Sequence, residues 1–240
     1  MKKSLVALLL SLCLILSFTS SGEAQSKPAD TSGVYVGILG GYVIPMDMKT
    51  TVTGSGGSIN YDIALDKGYL LGAKVGYLTP FTNRIMAIEL EYNHIRNNFD
   101  TSKGYAMAGQ PVRFDSKTQV DAVMVNVLGR YPEGKFHPYV GIGGGYANVK
   151  VSDMDLSVMG IKALSMSSGS KGVFAYQFLL GVDCDIADNF VLGLQYKYLA
   201  TEKVSYDGTA TSPFVAGSRP GSVDAEYKAH NLVLSLNYLF

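Results

Sequence analysis

The chain has 240 residues, with 20 basic and 20 acidic side chains, and 47% of its residues are hydrophobic. That balance lacks the basic footprint of a nucleic-acid binder, and two cysteines, Cys13 and Cys184, are too few for a disulfide framework or a cysteine metal centre. Glycine is abundant at 27 residues and Tyr outnumbers Phe by 16 to 10, a mix that suits a twisted sheet better than a helical core.

The amino-terminal stretch reads as an export leader. Lys2 and Lys3 precede an apolar run from Leu5 to Phe18, and Gly22 and Ala24 supply the small residues of a cleavage site. The expected division is a signal peptide over 1–24, a short periplasmic segment over 25–32 and one β domain over 33–240. Cys13 follows Leu12, where a lipid-anchor signal wants a small residue, so no lipid anchor is expected. No later window reaches the roughly 18 uninterrupted apolar residues of a spanning helix, so any membrane crossing must use strands.

From Gly33 onward one device recurs eight times: a run with one apolar face and one small or polar face. The first run, Gly33 to Ile44, has glycines on both faces and leaves its sidedness open. The second, Gly68 to Thr79, sets Tyr69, Leu71, Ala73, Val75 and Tyr77 against Gly72, Lys74 and Gly76. The third, Arg84 to Ile95, sets Met86, Ile88, Leu90 and Tyr92 against Glu89, Glu91 and Asn93. In the fourth, Thr118 to Arg130, Val123, Val125 and Val127 oppose Met124, Asn126 and Arg130.

The fifth run, His137 to Val151, carries Val140, Ile142 and Tyr146 on one face and the odd-numbered glycines on the other. The sixth, Gly172 to Ile186, sets Phe174, Tyr176, Phe178, Leu180 and Val182 against Gln177, Gly181, Asp183 and Asp185. The seventh, Asn189 to Ala200, sets Phe190, Leu192, Leu194, Tyr196 and Tyr198 against Gly193, Gln195 and Lys197. The eighth ends the chain, with Leu232, Leu234, Leu236, Tyr238 and Phe240 opposite Asn231, Ser235 and Asn237.

Long and short connections alternate. Turn chemistry marks the short ones at 79–83, 131–135 and 187–189, whereas the long ones run over 45–67, 96–117, 152–171 and 201–225. Tight turns at one rim and long loops at the other are the layout of a transmembrane barrel. The expected fold is therefore all-β: an eight-stranded antiparallel up-and-down barrel with four long outer loops and three short periplasmic turns. Outward tyrosines near strand ends fit an aromatic girdle at the membrane surface.

Eight strands enclose a space just wide enough for side chains to fill it. The inward set Lys74, Glu89, Glu91, Asn126, Arg130, Gln177, Asp183, Gln195, Lys197 and Asn231 is expected to form a polar network of paired charges that plugs the interior. No cofactor or metal is expected, because Asp153 and Asp155 lack the spacing of a calcium loop and no phosphate-binding loop is present. The third long loop is unusually apolar: Met154, Leu156, Val158, Met159 and Ile161 are candidate contacts for a surface ligand, and their alternation suggests that the flanking strands continue outward as a ribbon. The Gly/Ser/Thr-rich first and fourth loops read as mobile.

The closing strand with its terminal Phe240, together with Tyr238 and Leu236, the Pro138–Gly141 segment and the loop alternation, resembles the OmpA/OmpX-like superfamily of small outer-membrane barrels, including the opacity-type surface proteins. The resemblance spans nearly all of 33–240. It implies a Gram-negative outer-membrane location, contact with membrane lipids and lipopolysaccharide, and recognition of the last strand by the barrel-assembly machinery. It also implies a monomer acting in envelope integrity or surface interaction through its loops; because the eighth strand coincides with the carboxy-terminus, the peptidoglycan-binding domain of full OmpA proteins is not expected. A narrow pore for small solutes is the alternative reading. A lipid-modifying enzyme is the remote one. The lipid A deacylase barrel carries His-x-Ser-Asn on a strand, but here Asn93-His94-Ile95-Arg96-Asn97 places Arg96 where the nucleophile belongs, so no catalytic residue is assigned. Cys184, outward and near a periplasmic turn, receives no role.

Overall fold

The alternation of apolar and polar residues closes the chain into a barrel, seen in a computed structural model that describes residues 33–54, 57–63, 65–99, 105–107, 110–115, 117–151, 154–158, 161–166, 169–211 and 218–240. Residues 1–32, where the leader and the periplasmic segment are expected, lie outside the described residues. Eight strands form the wall: β1 (Val34–Pro45), β2 (Leu65–Leu78), β3 (Met86–Phe99), β4 (Lys117–Arg130), β5 (Phe136–Val151), β6 (Gly169–Ala187), β7 (Phe190–Thr201) and β8 (Lys228–Leu239). Each pairs antiparallel with its sequence neighbours, and β8 returns to β1 from Tyr35↔Leu239 to Pro45↔Ala229. The wall therefore has no edge, which hydrocarbon requires because it offers no partner to a free N–H or C=O.

The strand ends differ from the sequence expectation in a consistent direction. At the loop side β2 begins at Leu65, β3 runs to Phe99 and β6 begins at Gly169, so the wall continues beyond the expected limits of Gly68, Ile95 and Gly172. At the other rim β3 begins at Met86 rather than Arg84. The turn there contains a short 3-10 helix, Pro80–Thr82, followed by Asn83 and Arg84 at φ 53° and 62°, a left-handed conformation that no strand residue adopts. Asn189 lies outside β7 and clasps the carboxy-terminus: its Nδ2 donates to the Leu239 carbonyl at 2.6 Å, and its own carbonyl accepts from Leu239 N at 2.8 Å.

Sidedness follows the alternation in the seven strands where the sequence shows it, and the structure decides the eighth. In β1, Val36, Ile38, Tyr42 and Ile44 face outward, while Tyr35, Leu39 and Val43 are buried. Pairing with β2 and β8 fixes this, because Tyr42 sits opposite both Tyr69 and Leu232 on the outer surface. The outward side chains form an apolar belt around the wall, bounded toward the loops by Tyr42, Tyr69, Tyr92 and Tyr146 and toward the turns by Tyr77, Phe190, Tyr238 and Phe240. Rings meet along these girdles, as at Phe190–Tyr238 (5.3 Å) and Tyr238–Phe240 (5.0 Å).

The described parts of the long connections are also largely strand. Beyond the wall, Met48–Gly54 and Gly57–Ile63 from the first loop join Val204–Thr211 and Ser218–Ala225 from the fourth in one four-stranded sheet. Tyr105–Met107 and Gln110–Asp115 from the second loop join Met154–Val158 and Ile161–Met166 from the third in another. Pairing of neighbouring hairpins organises these segments despite their Gly, Ser and Thr content.

Depth in the apolar belt should set the cost of a charge on the outer wall. Val125→Arg, in the middle of the belt beside Val75 and Leu90, is expected to destabilise the folded barrel by about 2–4 kcal/mol, and Phe174→Arg near the loop-side girdle by about 0–1 kcal/mol. Urea unfolding of the barrel in lipid vesicles measures both. Equal losses at the two positions would contradict the boundary drawn here.

Candidate functional site

The barrel interior is layered. Toward the loops, Val43, Leu65, Leu70, Ile95, Val120, Met124, Val149, Leu199 and Tyr227 belong to one buried apolar cluster. Toward the turns, Tyr35, Leu78, Ala87, Leu128, Tyr139, Leu179 and Leu239 form a second. The two ion pairs lie between them, whereas Arg130, Asp183 and His137 lie toward the turns, so apolar layers interrupt the expected polar plug. Those layers are legible only once the closed sheet stacks inward leucines and valines from different strands.

Two ion pairs anchor the middle layer. Lys74 Nζ donates to Glu89 Oε1 at 2.7 Å, and Lys197 Nζ donates to Glu91 Oε1 at 2.7 Å, with all four side chains essentially excluded from solvent. Buried charges are costly unless each is paired and hydrogen-bonded further. Here Tyr35 OH donates to Glu89 Oε1 at 2.6 Å, and Asn126 Nδ2 reaches Glu89 Oε2 at 3.4 Å. Asn93 Nδ2 donates to Glu91 Oε1 at 2.6 Å, and Lys197 Nζ also donates to Asn93 Oδ1 at 3.2 Å. Gln177 Nε2 bridges the two halves, donating to Glu91 Oε1 at 3.1 Å and to Asn126 Oδ1 at 2.6 Å. Asn231 joins through the Lys197 carbonyl at 3.3 Å.

The remaining expected members are placed differently. Gln195 Oε1 accepts from Tyr139 OH at 2.8 Å, outside the network that centres on the two ion pairs. Arg130 and Asp183 lie toward the periplasmic rim, and Arg130 Nε and Asp183 Oδ1 are buried without a hydrogen-bond partner in the protein, so complete pairing of the interior charges does not hold. Nearer the rim, His137 Nδ1 donates to the Tyr131 carbonyl at 3.0 Å, and its Nε2 lies 3.3 Å from Asp185 Oδ2.

Sequence reasoning missed three aromatic members. Tyr35 covers Gly76 and Tyr139 covers Gly181 so closely that an added Cβ at either glycine would collide with the ring. Those glycines are the signal: an inward Gly makes room for a large neighbour across the ladder. Tyr227, just before β8, is fully buried under the loop-side mouth, and its hydroxyl donates to Asn97 Oδ1 at 2.8 Å.

Among the candidate loop residues, Met154, Leu156 and Val158 pair in register with Met166, Leu164 and Ile161. Met159 lies outside the described residues, as does Asp153. Phe240 and Tyr238 are exposed at the periplasmic girdle, and Phe240 N donates to the Val34 carbonyl at 3.0 Å, tying the last residue to β1. His94 faces outward, with Nδ1 2.7 Å from Asp121 Oδ1 on the neighbouring strand. Arg96 stands on the same face of β3, one rung further toward the loops. Cys184 is half-buried, its thiol 3.9 Å from the Asp185 carbonyl.

A closed eight-stranded wall, an apolar outer belt between two aromatic girdles and a plugged interior together define a small membrane barrel. Residues 10–240 match the family described as outer membrane protein beta-barrel domain. The chain belongs to that family, and its location is the outer membrane of a Gram-negative bacterium. It is 28% identical over 211 residues to outer membrane protein PagN of Salmonella typhimurium, across 85% of this chain and 79% of PagN. Among solved structures, OprG of Pseudomonas aeruginosa superposes with a TM-score of 0.56 at 18% identity, covering 88% of this chain and 97% of OprG. Neisserial surface protein A gives 0.47 at 15% identity, covering 88% of this chain and 99% of that protein.

The interior ion pairs should behave as coupled units. Lys197→Met leaves Glu91 buried and uncompensated and is expected to cost about 3–5 kcal/mol of folding stability, while adding Glu91→Gln recovers most of that loss. Denaturant titration in detergent micelles reads both variants. If the double variant is as unstable as the single one, packing volume rather than charge holds this layer.

Proposed function

We propose that this protein is a non-enzymatic surface barrel that serves envelope integrity and surface interaction through its outer loops, with the interior as structural filling. The observation that supports this reading is the strand order of the loops above a closed barrel: described segments of the first and fourth loops share one four-stranded sheet, and described segments of the second and third share another. Ordered sheets of this kind outside the membrane are a platform for recognition, while the wall beneath is committed to packing.

Replacing 154–166 by a short Gly/Ser turn is expected to lower the adherence of expressing bacteria to host cells or matrix toward that of cells lacking the protein, with surface abundance unchanged. Flow cytometry with an epitope tag in another loop controls for abundance. Undiminished adherence to every surface tested, together with a stable open state of the wild-type barrel in planar bilayers, would favour the pore instead.

The exposed Phe190–Tyr238–Phe240 aromatic patch is the surface we propose the assembly machinery reads. Deleting Phe240 is expected to reduce the amount of heat-modifiable folded barrel in the outer membrane. Normal assembly of the deleted chain would remove that role.

A further inference from the structure

The three turns at the periplasmic rim are held by different chemistry. In the 79–83 turn, the Thr79 and Thr82 hydroxyls donate to the Met86 and Thr79 carbonyls at 2.9 and 3.0 Å. At 187–189 the Asn189 amide clasps Leu239. Neither a hydroxyl nor an amide changes charge between about pH 5 and 8. The 131–135 turn is closed by Tyr131 N, which donates to the Pro138 carbonyl at 2.9 Å. It is tied to β6 by Asp185 N, which donates to the Lys135 carbonyl at 3.0 Å. His137, the second residue of β5, spans both ties.

The His137 side chain is buried, and both of its ring nitrogens face acceptors. Nδ1 lies 3.0 Å from the Tyr131 carbonyl, and Nε2 lies 3.3 Å from Asp185 Oδ2. A carbonyl and a carboxylate only accept, so both contacts are hydrogen bonds only when both nitrogens carry a proton. A neutral ring has one N–H, and in either tautomer the other nitrogen sets a lone pair against an oxygen. The charged groups around the ring leave a place for that second proton. From β6 come Asp185 and Asp183, the latter directly opposite His137 in the ladder. From β4 comes Arg130, opposite Tyr139 and so two residues along β5. In the turn, Glu133 accepts from Tyr131 OH at 3.1 Å and Lys135 is exposed. At this level β7 and β8 present Val191 and Asn237, and Asp188 in the next turn is exposed.

We propose that His137 is a pH-sensitive latch on the turn-side mouth of the barrel. As imidazolium it fastens the 131–135 turn to β6. As a neutral ring it gives up one of its two bonds, and the turn loosens. The latch is therefore complete on the acid side of the ordinary imidazole range and is lost as pH rises through it. Asp185 is its proton-accessible side, with 29% of that side chain exposed. Just inside lie Arg130 and Asp183, whose Nε and Oδ1 are buried without a partner in the protein. Periplasmic water admitted by a loosened turn hydrates both, which offsets part of the cost of opening. The latch sits at the far end of the barrel from the loops and is independent of any adhesive role.

Hydrogen–deuterium exchange of the full-length barrel in detergent micelles reads the latch at the Tyr131 and Asp185 amides. Protection is referred to the intrinsic exchange rate at each pH. Between about pH 5.5 and 8.5, wild-type protection at both amides is expected to fall about tenfold, the loss of one charge-assisted hydrogen bond. Protection in the 79–83 turn is expected to stay constant. His137→Gln is expected to show weak protection at 131 and 185 that does not change with pH. Asp185→Asn supplies an amide that can donate to a neutral ring or accept from a charged one, so its protection is expected to be flat as well. Heat modifiability on gels confirms that both variants fold. If either fails to fold, the wild-type pH profile still decides, with the 79–83 turn as its internal control. Wild-type protection that is flat with pH, an equal fall in the 79–83 turn, or a pH dependence retained in Asp185→Asn would each overturn the proposal.

Discussion

A backbone amide in hydrocarbon has no water to turn to, and the return of β8 onto β1 is how this chain meets that demand. The ladder from Tyr35↔Leu239 to Pro45↔Ala229 pairs the first strand with the last along nearly their full lengths. Phe240 adds a hydrogen bond to Val34 at the periplasmic end of that seam, and Asn189 holds Leu239 from the β7 side. Everything else inherits from this closure. It sets which residues face lipid, and it gives the interior the narrow bore of an eight-stranded barrel.

Side chains fill a bore that narrow, so inward charges are stabilised by counter-charges on the wall or across the lumen. Lys74 meets Glu89 on the adjacent strand, but Lys197 reaches Glu91 across the interior, from β7 to β3. Gln177 and Asn126 link the two pairs from the remaining wall. The apolar clusters above and below then raise the stakes, because a low-dielectric surrounding both strengthens a satisfied network and penalises a broken one. The filling thus follows from closure and narrowness.

Much of this was legible in the chain, because a strand between two solvents must alternate, and a two-residue period is the simplest pattern a sequence can carry. The inward positions of Glu89, Glu91, Lys197 and Asn231 follow from counting parity. β1 was not legible: Gly37, Gly40 and Gly41 carry no side chain, and its sidedness comes from the partners that flank it. Partnership in general was invisible. Nothing near His94 in the chain announces Asp121, which is 27 residues away and arrives only through the β3–β4 register. The loop sheets were hidden for the same reason, since pairing between the first and fourth loops depends on β1 and β8 being neighbours. Their Gly- and Ser-rich composition carries no alternation that would announce such pairing.

Closure is demanded only as far as the hydrocarbon extends. Above the girdle, water can satisfy a strand edge, and there the wall divides. The second loop pairs with the third and the fourth with the first, but among the described residues no ladder joins Gly57–Ile63 to Tyr105–Met107, or Ile161–Met166 to Val204–Thr211. The missing ladders fall over β2–β3 and over β6–β7, half a circumference apart in the strand order, although 161–166 and 204–211 still lie beside one another. The same chain therefore obeys two rules at two heights. Within the membrane it must be a seamless cylinder, and its chemistry is spent on packing. Outside, its described loop strands form two sheets that no described ladder joins, and there water takes over the pairing that the barrel wall supplies within the membrane.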